Sequence, residues 1–109
     1  MRVLRSPRMD LGELQRHWQA FGEQDPLWAI LTDPARKGGR WTPEEFFATG
    51  VAEIDALMQE ARTFGLPQQR RRAVDFGCGV GRLTQALATH VDEAVGLDVA
   101  PSMVARARD

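Results

Sequence analysis

Apolar residues in the first part of the chain recur at helical spacing. A first stripe repeats at intervals of three, four and three positions and predicts one amphipathic helix over about residues 11–22. Asp10 and Glu13 have the spacing of a capping box at its start, and Gly22 is typical of a helix end. The apolar members of this stripe are Leu11, Leu14, Trp18 and Phe21.

A second and longer helix is predicted to begin at residue 43. Thr42 can cap it, Pro43 suits its first position, and Glu45 completes a second capping box. Gly50 weakens the middle of this helix by about 1 kcal/mol, which makes it a point where the helix can divide in two. The stripe predicted to be buried consists of Phe47, Val51, Ile54, Met58 and Ala61.

Between these helices, two Asp-Pro pairs predict shorter elements. Asp25 can cap a short helix that has Pro26 at its first position and that runs through Leu31. Asp33 and Pro34 repeat the same pattern, which predicts a single helical turn. We therefore expect the first two thirds of the chain to be helical throughout.

The hydrophobic period changes in the last third of the chain. Residues 72–76 and 93–99 have the length and the apolar content of strands. Residues 82–88 lie between them and place Leu83 and Leu87 on one helical face. The order of strand, glycine-rich turn, helix and strand predicts two neighbouring parallel strands joined by a helical crossover.

The turn after the first of these strands carries the most informative residues. It places glycines at Gly77, Gly79 and Gly81, and Asp98 follows Gly77 by 21 positions. Glycine lets the backbone turn sharply and lets a ligand approach it closely. A carboxylate at the end of the next strand can accept hydrogen bonds from both hydroxyls of a ribose. The pair predicts a pocket for a nucleoside-containing ligand; the alternative is a purely structural turn.

Two residues indicate which nucleoside the pocket accepts. A dinucleotide-binding turn requires a third glycine at position 82, and the chain has Arg82 there. Asp75, just before the turn, would repel a pyrophosphate and attract an ammonium group. S-adenosylmethionine combines a ribose with an amino-acid ammonium group and carries no phosphate, so it fits both observations.

These segments are similar to a known family. Residues 74–83 resemble the first motif of class I S-adenosylmethionine-dependent methyltransferases, and residues 95–103 resemble the segment that follows it. The resemblance implies S-adenosyl-L-methionine as the cofactor. It also implies a cofactor-binding set made of Asp75, Gly77, Cys78, Gly79, Gly81, Asp98, Val99 and Met103.

The resemblance assigns a role to each part of this set. The glycine turn is expected to form the loop under the methionine portion of the cofactor. Asp75 is expected to help hold the ammonium group through water, and Asp98 to bind the ribose hydroxyls. Val99 and Met103 are expected to lie near the adenine.

The expected fold class is α/β. We expect a Rossmann-like methyltransferase fold, truncated after the second parallel strand and its helix, with an amino-terminal helical extension. Residues 1–69 are predicted to be this extension and a cofactor lid, and residues 70–109 the amino-terminal part of the S-adenosylmethionine-binding domain. The two long helices are expected to cover the carboxyl ends of the strands. The family's fold resembles a seven-stranded sheet. Because only two strands are expected here, we expect one edge of the sheet to be exposed and able to pair with another copy or with a complementing chain.

Composition narrows the functions further. The 109 residues carry a formal net charge of −1, which gives no overall attraction to nucleic acid or to an anionic membrane. No apolar run approaches the ~18 residues of a membrane span. Cys78 is the only cysteine, so we expect no disulfide and no cysteine-rich metal site, and a cytoplasmic location. The first residues, which include Arg2, Arg5 and Arg8, are expected to form a disordered tail.

Several other side chains are expected to be structural. Trp18 and Trp28 are predicted core residues, whereas Trp41 is a candidate for the active-site side because it adjoins a glycine loop and a helix start. The arginine run at 70–72 is predicted to be a solvated edge. His90 follows a helix, where a cation is favoured by the helix dipole.

The predicted function is methyl transfer from S-adenosylmethionine to an unidentified acceptor. A small molecule is favoured, with neither nucleic acid nor membrane as partner, because no basic surface is evident. No catalytic residue can be named, and catalysis in this class depends mostly on positioning. One alternative is a non-catalytic S-adenosylmethionine-binding module that associates with another chain. Another is a nicotinamide- or flavin-binding half-domain, which Asp75 and Arg82 disfavour.

Overall fold

The computed structural model describes residues 10–108, which form five α-helices and a two-stranded parallel sheet. The predicted α/β class with two parallel strands is therefore confirmed, whereas the predicted tail with Arg2, Arg5 and Arg8 lies outside the described residues. In chain order the elements are α1 (Leu11–Gln24), α2 (Pro26–Ile30), a 3₁₀ turn (Pro34–Arg36), α3 (Pro43–Thr63), β1 (Arg72–Phe76), α4 (Thr84–Leu87), β2 (Glu93–Leu97) and α5 (Pro101–Ala107).

Side-chain caps fix the starts of the two long helices, as their sequences predict. The backbone N–H of Glu13 donates to Oδ1 of Asp10 at 2.7 Å, and the Asp10 N–H donates back to the Glu13 carboxylate at 3.1 Å. At α3, the N–H of Glu45 donates to the hydroxyl of Thr42 at 3.2 Å, but the predicted capping box is incomplete, because the Glu45 carboxylate pairs with Arg36. α1 does not end at Gly22 as expected, since Gly22 is buried inside the helix against α5.

The buried face of α3 differs from the predicted one. Phe46 and Gly50 are buried together with Ile54 and Met58, whereas Val51 is 39% exposed. Gly50 does not divide the helix, which is continuous from Pro43 to Thr63, and it packs closely on the turn before α4. A Cβ atom at Gly50 would lie 2.1 Å from the carbonyl oxygen of Arg82, so only glycine lets the two backbones approach this closely.

The two strands pair in parallel, from Arg72 opposite Glu93 to Phe76 opposite Leu97. α4 covers one face of this sheet: a Cβ atom on Gly96 would lie 2.9 Å from Cβ of Cys78 and 3.1 Å from the hydroxyl of Thr84. Both β2 and α4 are shorter than their sequence patterns predict. The chain therefore leaves the sheet at Leu97, which places Asp98 in the loop directly after β2.

The helical extension and the βαβ unit share their cores. One buried cluster joins Phe46 of α3 to Val80, Ala100 and Met103 of the last third of the chain. A second joins Ile54 and Met58 of α3 to Ala86 of α4. Because each cluster takes members from both parts, the extension is packed on the sheet unit rather than folded apart from it.

Within residues 10–108, no helix has both the length and the apolar content that crossing a bilayer requires.

Candidate functional site

The glycine turn after β1 adopts a backbone conformation that other residues rarely take. Gly77, Gly79 and Gly81 have φ angles of +78°, +55° and +89°. The turn is tied to the end of β2, because the N–H groups of Gly77 and Cys78 both donate to the carbonyl of Leu97, at 2.7 and 2.9 Å. The glycine spacing seen in the sequence thus brings the turn against the loop that follows β2.

Asp98 lies within hydrogen-bonding distance of the glycine turn, as the nucleoside hypothesis requires. Its Oδ2 accepts the N–H of Gly79 at 2.8 Å, and its Oδ1 accepts the N–H of Ala100 at 2.9 Å. A carboxylate oxygen has two lone pairs, so each oxygen of Asp98 can accept one further hydrogen bond. The acid therefore orders the turn and still offers acceptors to a ligand.

A cavity of about 590 Å³ opens beside Asp98 and the glycine turn. Four of the predicted site residues line it: Gly77, Gly79, Asp98 and Val99. The remaining lining residues are Leu14, Trp18, Ile30, Phe76 and Leu97. Its volume lies within the range of ordinary small-molecule sites, which is roughly 300–1,000 Å³.

The cavity fits a ligand that approaches the backbone of the turn. A Cβ atom built on Gly77 would have no atom within 4 Å, so this stretch of backbone is open to a ligand. A Cβ atom on Gly79 would lie 2.9 Å from Cδ1 of Ile30 and would narrow the cavity at that wall. The residues present therefore fit the adenosine and amino-acid portions of S-adenosylmethionine, with open backbone below and a carboxylate to one side.

The site residues predicted from the sequence do not include those that form one wall of the cavity. Leu14 and Trp18 come from α1 and Ile30 from α2. The helical spacing of Leu14 and Trp18 is the signal that could have identified them, but it cannot distinguish a buried stripe from one that borders an open cavity. α3, which was expected to cover the strand ends, packs against α4 instead.

Four predicted site residues lie outside this cavity: Met103, Cys78, Gly81 and Asp75. The Met103 side chain is 1% exposed and belongs to the core cluster with Phe46, so no surface of it is left for an adenine. Cys78 and Gly81 border a different cavity, of about 850 Å³, on the helix-covered side of the sheet. Burial, followed by the negative charges of Asp98 and Asp75, raises the pKa of the Cys78 thiol, so the thiolate is disfavoured.

Asp75 also points away from the cavity of about 590 Å³. Its Oδ2 accepts the hydroxyl hydrogen of Thr84 at 2.8 Å, on the sheet face that α4 covers. This bond ties the strand to the start of α4, with the glycine turn between them. A water-mediated contact with a ligand ammonium group stays a prediction.

The tryptophans are placed partly as the sequence predicts. Trp41, the candidate for the active-site side, packs edge to face on Phe46, and its indole N–H donates to the carbonyl of Leu31 at 3.1 Å. Trp18 packs against the same core, as predicted, and it also lines the cavity. Trp18, rather than Trp41, is therefore the tryptophan that borders the candidate cavity.

Two contacts between titratable side chains of the described residues lie away from the cavity. Arg72 forms an ion pair with Glu93 at 2.7 Å, at the amino ends of the strands and thus at the opposite end of the sheet from Asp98. His90 contacts Asp55 of α3 at 3.0 Å. Asp98 is the one titratable side chain among the described residues that line the cavity. In the same part of the chain, no three histidine, cysteine or carboxylate side chains converge as metal ligands.

Comparisons with known proteins relate the chain to methyltransferases. Residues 73–109 match a family model described as a methyltransferase domain. The ribosomal protein L11 methyltransferase of Sodalis glossinidius (strain morsitans) is 33% identical over 97 residues, which cover 85% of this chain and 33% of that protein. The enzyme of the same name from Pectobacterium carotovorum subsp. carotovorum (strain PC1) is 31% identical over 97 residues, with 85% and 32% covered. The chain thus spans about a third of the length of these curated relatives.

A further relative has a different acceptor in its name. The 23S rRNA (uracil(1939)-C(5))-methyltransferase RlmD of Shewanella sp. (strain MR-4) is 29% identical over 87 residues, covering 77% of this chain and 19% of that protein. No solved structure gave a significant match.

The predicted small-molecule acceptor, and the predicted absence of a nucleic-acid partner, are wrong: the relatives are named for a ribosomal protein and a ribosomal RNA. Net charge does not predict the class of acceptor, because it is a property of the whole chain and does not describe the surface on which an acceptor docks.

Proposed function

Because the chain carries part of a class I S-adenosylmethionine-dependent methyltransferase domain, we propose that the cavity beside Asp98 binds S-adenosylmethionine and that the protein methylates a macromolecular acceptor. One observation supports the cofactor assignment above all others. Asp98 and the glycine turn share a hydrogen bond and border the same cavity, so a single nucleoside can contact both.

Asp98 is proposed to accept hydrogen bonds from the two ribose hydroxyls. Each of its oxygens already accepts one backbone N–H, from Gly79 or from Ala100, and each has a second lone pair available. Two hydroxyls can therefore bind, one at each oxygen, without displacing the bonds that order the turn. The site is preorganised by these two bonds before a ligand enters.

The other lining residues are proposed to position the two ends of the cofactor. The open backbone at Gly77 would lie under the methionine portion, with Asp75 behind the turn contributing negative charge toward the ammonium group. Val99 and Trp18 both line the cavity and provide apolar surface on which the adenine can pack. In this proposal α1 and α2, rather than α3, act as the lid over the strand ends.

Catalysis by this site depends on placement. When bound, S-adenosylmethionine supplies an electrophilic methyl group on sulfonium that an acceptor atom attacks in line. The chain's contribution is to hold the nucleoside at Asp98, to orient the amino-acid end at the turn and to exclude water with Leu14, Trp18 and Ile30. No general base is assigned, since the described cavity lining offers no titratable group besides Asp98.

A ribosomal component is the proposed class of acceptor, on the strength of the relatives' names alone. This class also agrees with the predicted cytoplasmic location. The test is transfer of a radiolabelled methyl group from S-adenosylmethionine to purified ribosomal subunits, followed by separation of protein from RNA. We expect label in one fraction with the full protein and none with an Asp98→Ala variant. Label in small metabolites but in neither ribosomal fraction would contradict the proposed acceptor.

The cofactor assignment has its own test, independent of the acceptor. Calorimetric titration of the chain with S-adenosylhomocysteine should give saturable 1:1 binding, whereas NAD should give none at the same concentration. Binding of S-adenosylhomocysteine without methyl transfer to any acceptor would favour the alternative of a non-catalytic cofactor-binding module. Preferential binding of NAD would overturn the assignment.

A further inference from the structure

One polar contact region joins α1 to the helix that follows the proposed ribose-binding loop. We name it the α1–α5 seam, and it consists of Gln19, Gly22, Ser102 and Arg106. The Ser102 N–H donates to Oε1 of Gln19 at 2.9 Å, and the Ser102 hydroxyl donates to the Gln19 carbonyl at 2.8 Å. The Arg106 guanidinium donates through Nε to the carbonyl of Gly22 at 2.9 Å.

Gly22 is essential to the geometry of this seam because it allows the two helices to touch. A Cβ atom built on Gly22 would lie 2.0 Å from Oγ and 2.8 Å from Cβ of Ser102, distances that real Cβ atoms do not adopt. Gly22 is buried in the last turn of α1, inside the helix, where glycine has a lower helix propensity than alanine. Its presence there is explained by the close approach to Ser102.

The seam connects two walls of the cavity. α1 carries Leu14 and Trp18 on one wall, and Trp18 is the immediate neighbour of Gln19. α5 begins directly after Ala100, whose N–H holds Oδ1 of Asp98 on the other wall. Any displacement of α1 from Ser102 therefore changes the distance between the apolar wall and the carboxylate.

We infer that Gln19 and Gly22 are positioning residues for the cofactor cavity, which seat α1 on α5 so that Leu14 and Trp18 face Asp98 at the separation a bound nucleoside requires. The inference rests on the proposed cofactor site and concerns how that site is assembled. Because coupling between two equilibria is reciprocal, cofactor binding must in turn stabilise the docked position of α1.

The decisive variant is Gly22→Ala, and α1 offers a matched control in Gly12→Ala. Both changes raise intrinsic helix propensity. Among residues 10–108, a Cβ atom on Gly12 would meet only the side chains of Asp10 and Arg16, at 3.2 and 3.4 Å. The measurement is the Kd of S-adenosylhomocysteine by calorimetry, with far-ultraviolet circular dichroism to confirm that helicity is kept. We expect Gly22→Ala to raise the Kd by about tenfold or more, and Gly12→Ala to leave it unchanged.

A size-compensating pair separates positioning from a general loss of structure. Ser102→Gly removes both atoms that a Cβ on Gly22 would meet most closely, so the double variant Gly22→Ala/Ser102→Gly should recover much of the lost affinity. If Gly22→Ala does not fold, Gln19→Ala provides the test, since it removes the acceptor of the Ser102 N–H without adding volume. In the wild type, S-adenosylhomocysteine should slow hydrogen exchange of the α1 amides more than that of the α3 amides, whereas stabilisation of the whole fold would slow both.

The outcomes distinguish this inference from the proposed function. Wild-type affinity in a folded Gly22→Ala variant, or no protection of α1 by the ligand, would overturn the positioning role while leaving the cofactor site intact. Absence of binding by the wild type would remove the cofactor site and this inference together.

Discussion

Replacement of Asp98 by asparagine separates the two roles that the structure gives this residue. The substitution keeps the shape of the side chain but replaces one accepting oxygen by an NH₂ group, which can only donate. In the folded protein the two carboxylate oxygens accept the N–H groups of Gly79 and Ala100 at 2.8 and 2.9 Å. One of these N–H groups must therefore lose its acceptor in Asp98→Asn.

The expected losses of stability and of affinity follow from the number of hydrogen bonds that the substitution removes. A buried N–H left without a partner costs about 1–3 kcal/mol, so the free energy of unfolding should fall by that amount. At the ligand, one of the two proposed charge-assisted bonds to the ribose is lost. A bond to a charged group contributes about 1.5–3 kcal/mol, so the Kd of S-adenosylhomocysteine should rise about ten- to a hundredfold.

Two assays measure the two effects separately. Urea denaturation of the free protein reports the stability loss, and calorimetric titration at a temperature where both proteins are folded reports the affinity loss. Asp92→Asn is a matched control, because it makes the same change of charge at an exposed residue just before β2, at the opposite end of the sheet. A folded Asp98→Asn protein with wild-type affinity would refute the ribose role, and unchanged stability would refute the ordering of the turn.

Three further predictions concern other parts of the site and its support. Gly79→Val should abolish S-adenosylhomocysteine binding, because it places a branched side chain at a residue with a φ of +55° and against Ile30. The control Gly39→Val, at a residue with a φ of +75° but open surroundings, should retain binding in the same titration. Gly50→Ala should lower the urea-derived free energy of unfolding by about 1–3 kcal/mol despite its better helix propensity, since the new Cβ meets a backbone carbonyl; a stabilised variant would contradict the close contact. Burial and neighbouring carboxylates raise the pKa of Cys78, so its contribution to stability is complete below the ordinary pKa of a thiol and is lost at higher pH. The wild type should consequently lose more stability than Cys78→Ala between pH 7 and pH 10 in urea titrations, and parallel losses would contradict the burial of the thiol.

Local chemistry made much of the site predictable from the sequence. The glycines of the turn need positive φ angles, and Asp98 follows an apolar strand, so their spacing alone places them at one edge of a parallel sheet. The helix starts at Asp10 and Thr42 were predictable for the same reason, because a cap depends on residues three positions apart.

The residues that the sequence did not predict correctly depend on tertiary contacts. The face that α3 buries is shifted because Gly50 meets the Arg82 carbonyl, a contact between residues far apart in the chain. Met103, which the family resemblance implies lies near the adenine, belongs to the buried core cluster that contains Phe46. The prediction of a small-molecule acceptor was wrong because it rested on net charge. Net charge is a property of composition and carries no information on which surface meets a substrate.

The central claim is that one cavity brings the nucleoside of S-adenosylmethionine into contact with both the glycine turn and Asp98. The most direct measurement is an NMR titration of the isotopically labelled chain with S-adenosylhomocysteine, in which backbone amide shifts and contacts from the ribose protons are recorded together. We predict saturable shifts at Gly77, Gly79 and Val99, with ribose contacts to the Val99 and Trp18 side chains. Shifts confined to the opposite end of the sheet, around Arg72 and Glu93, would contradict the claim.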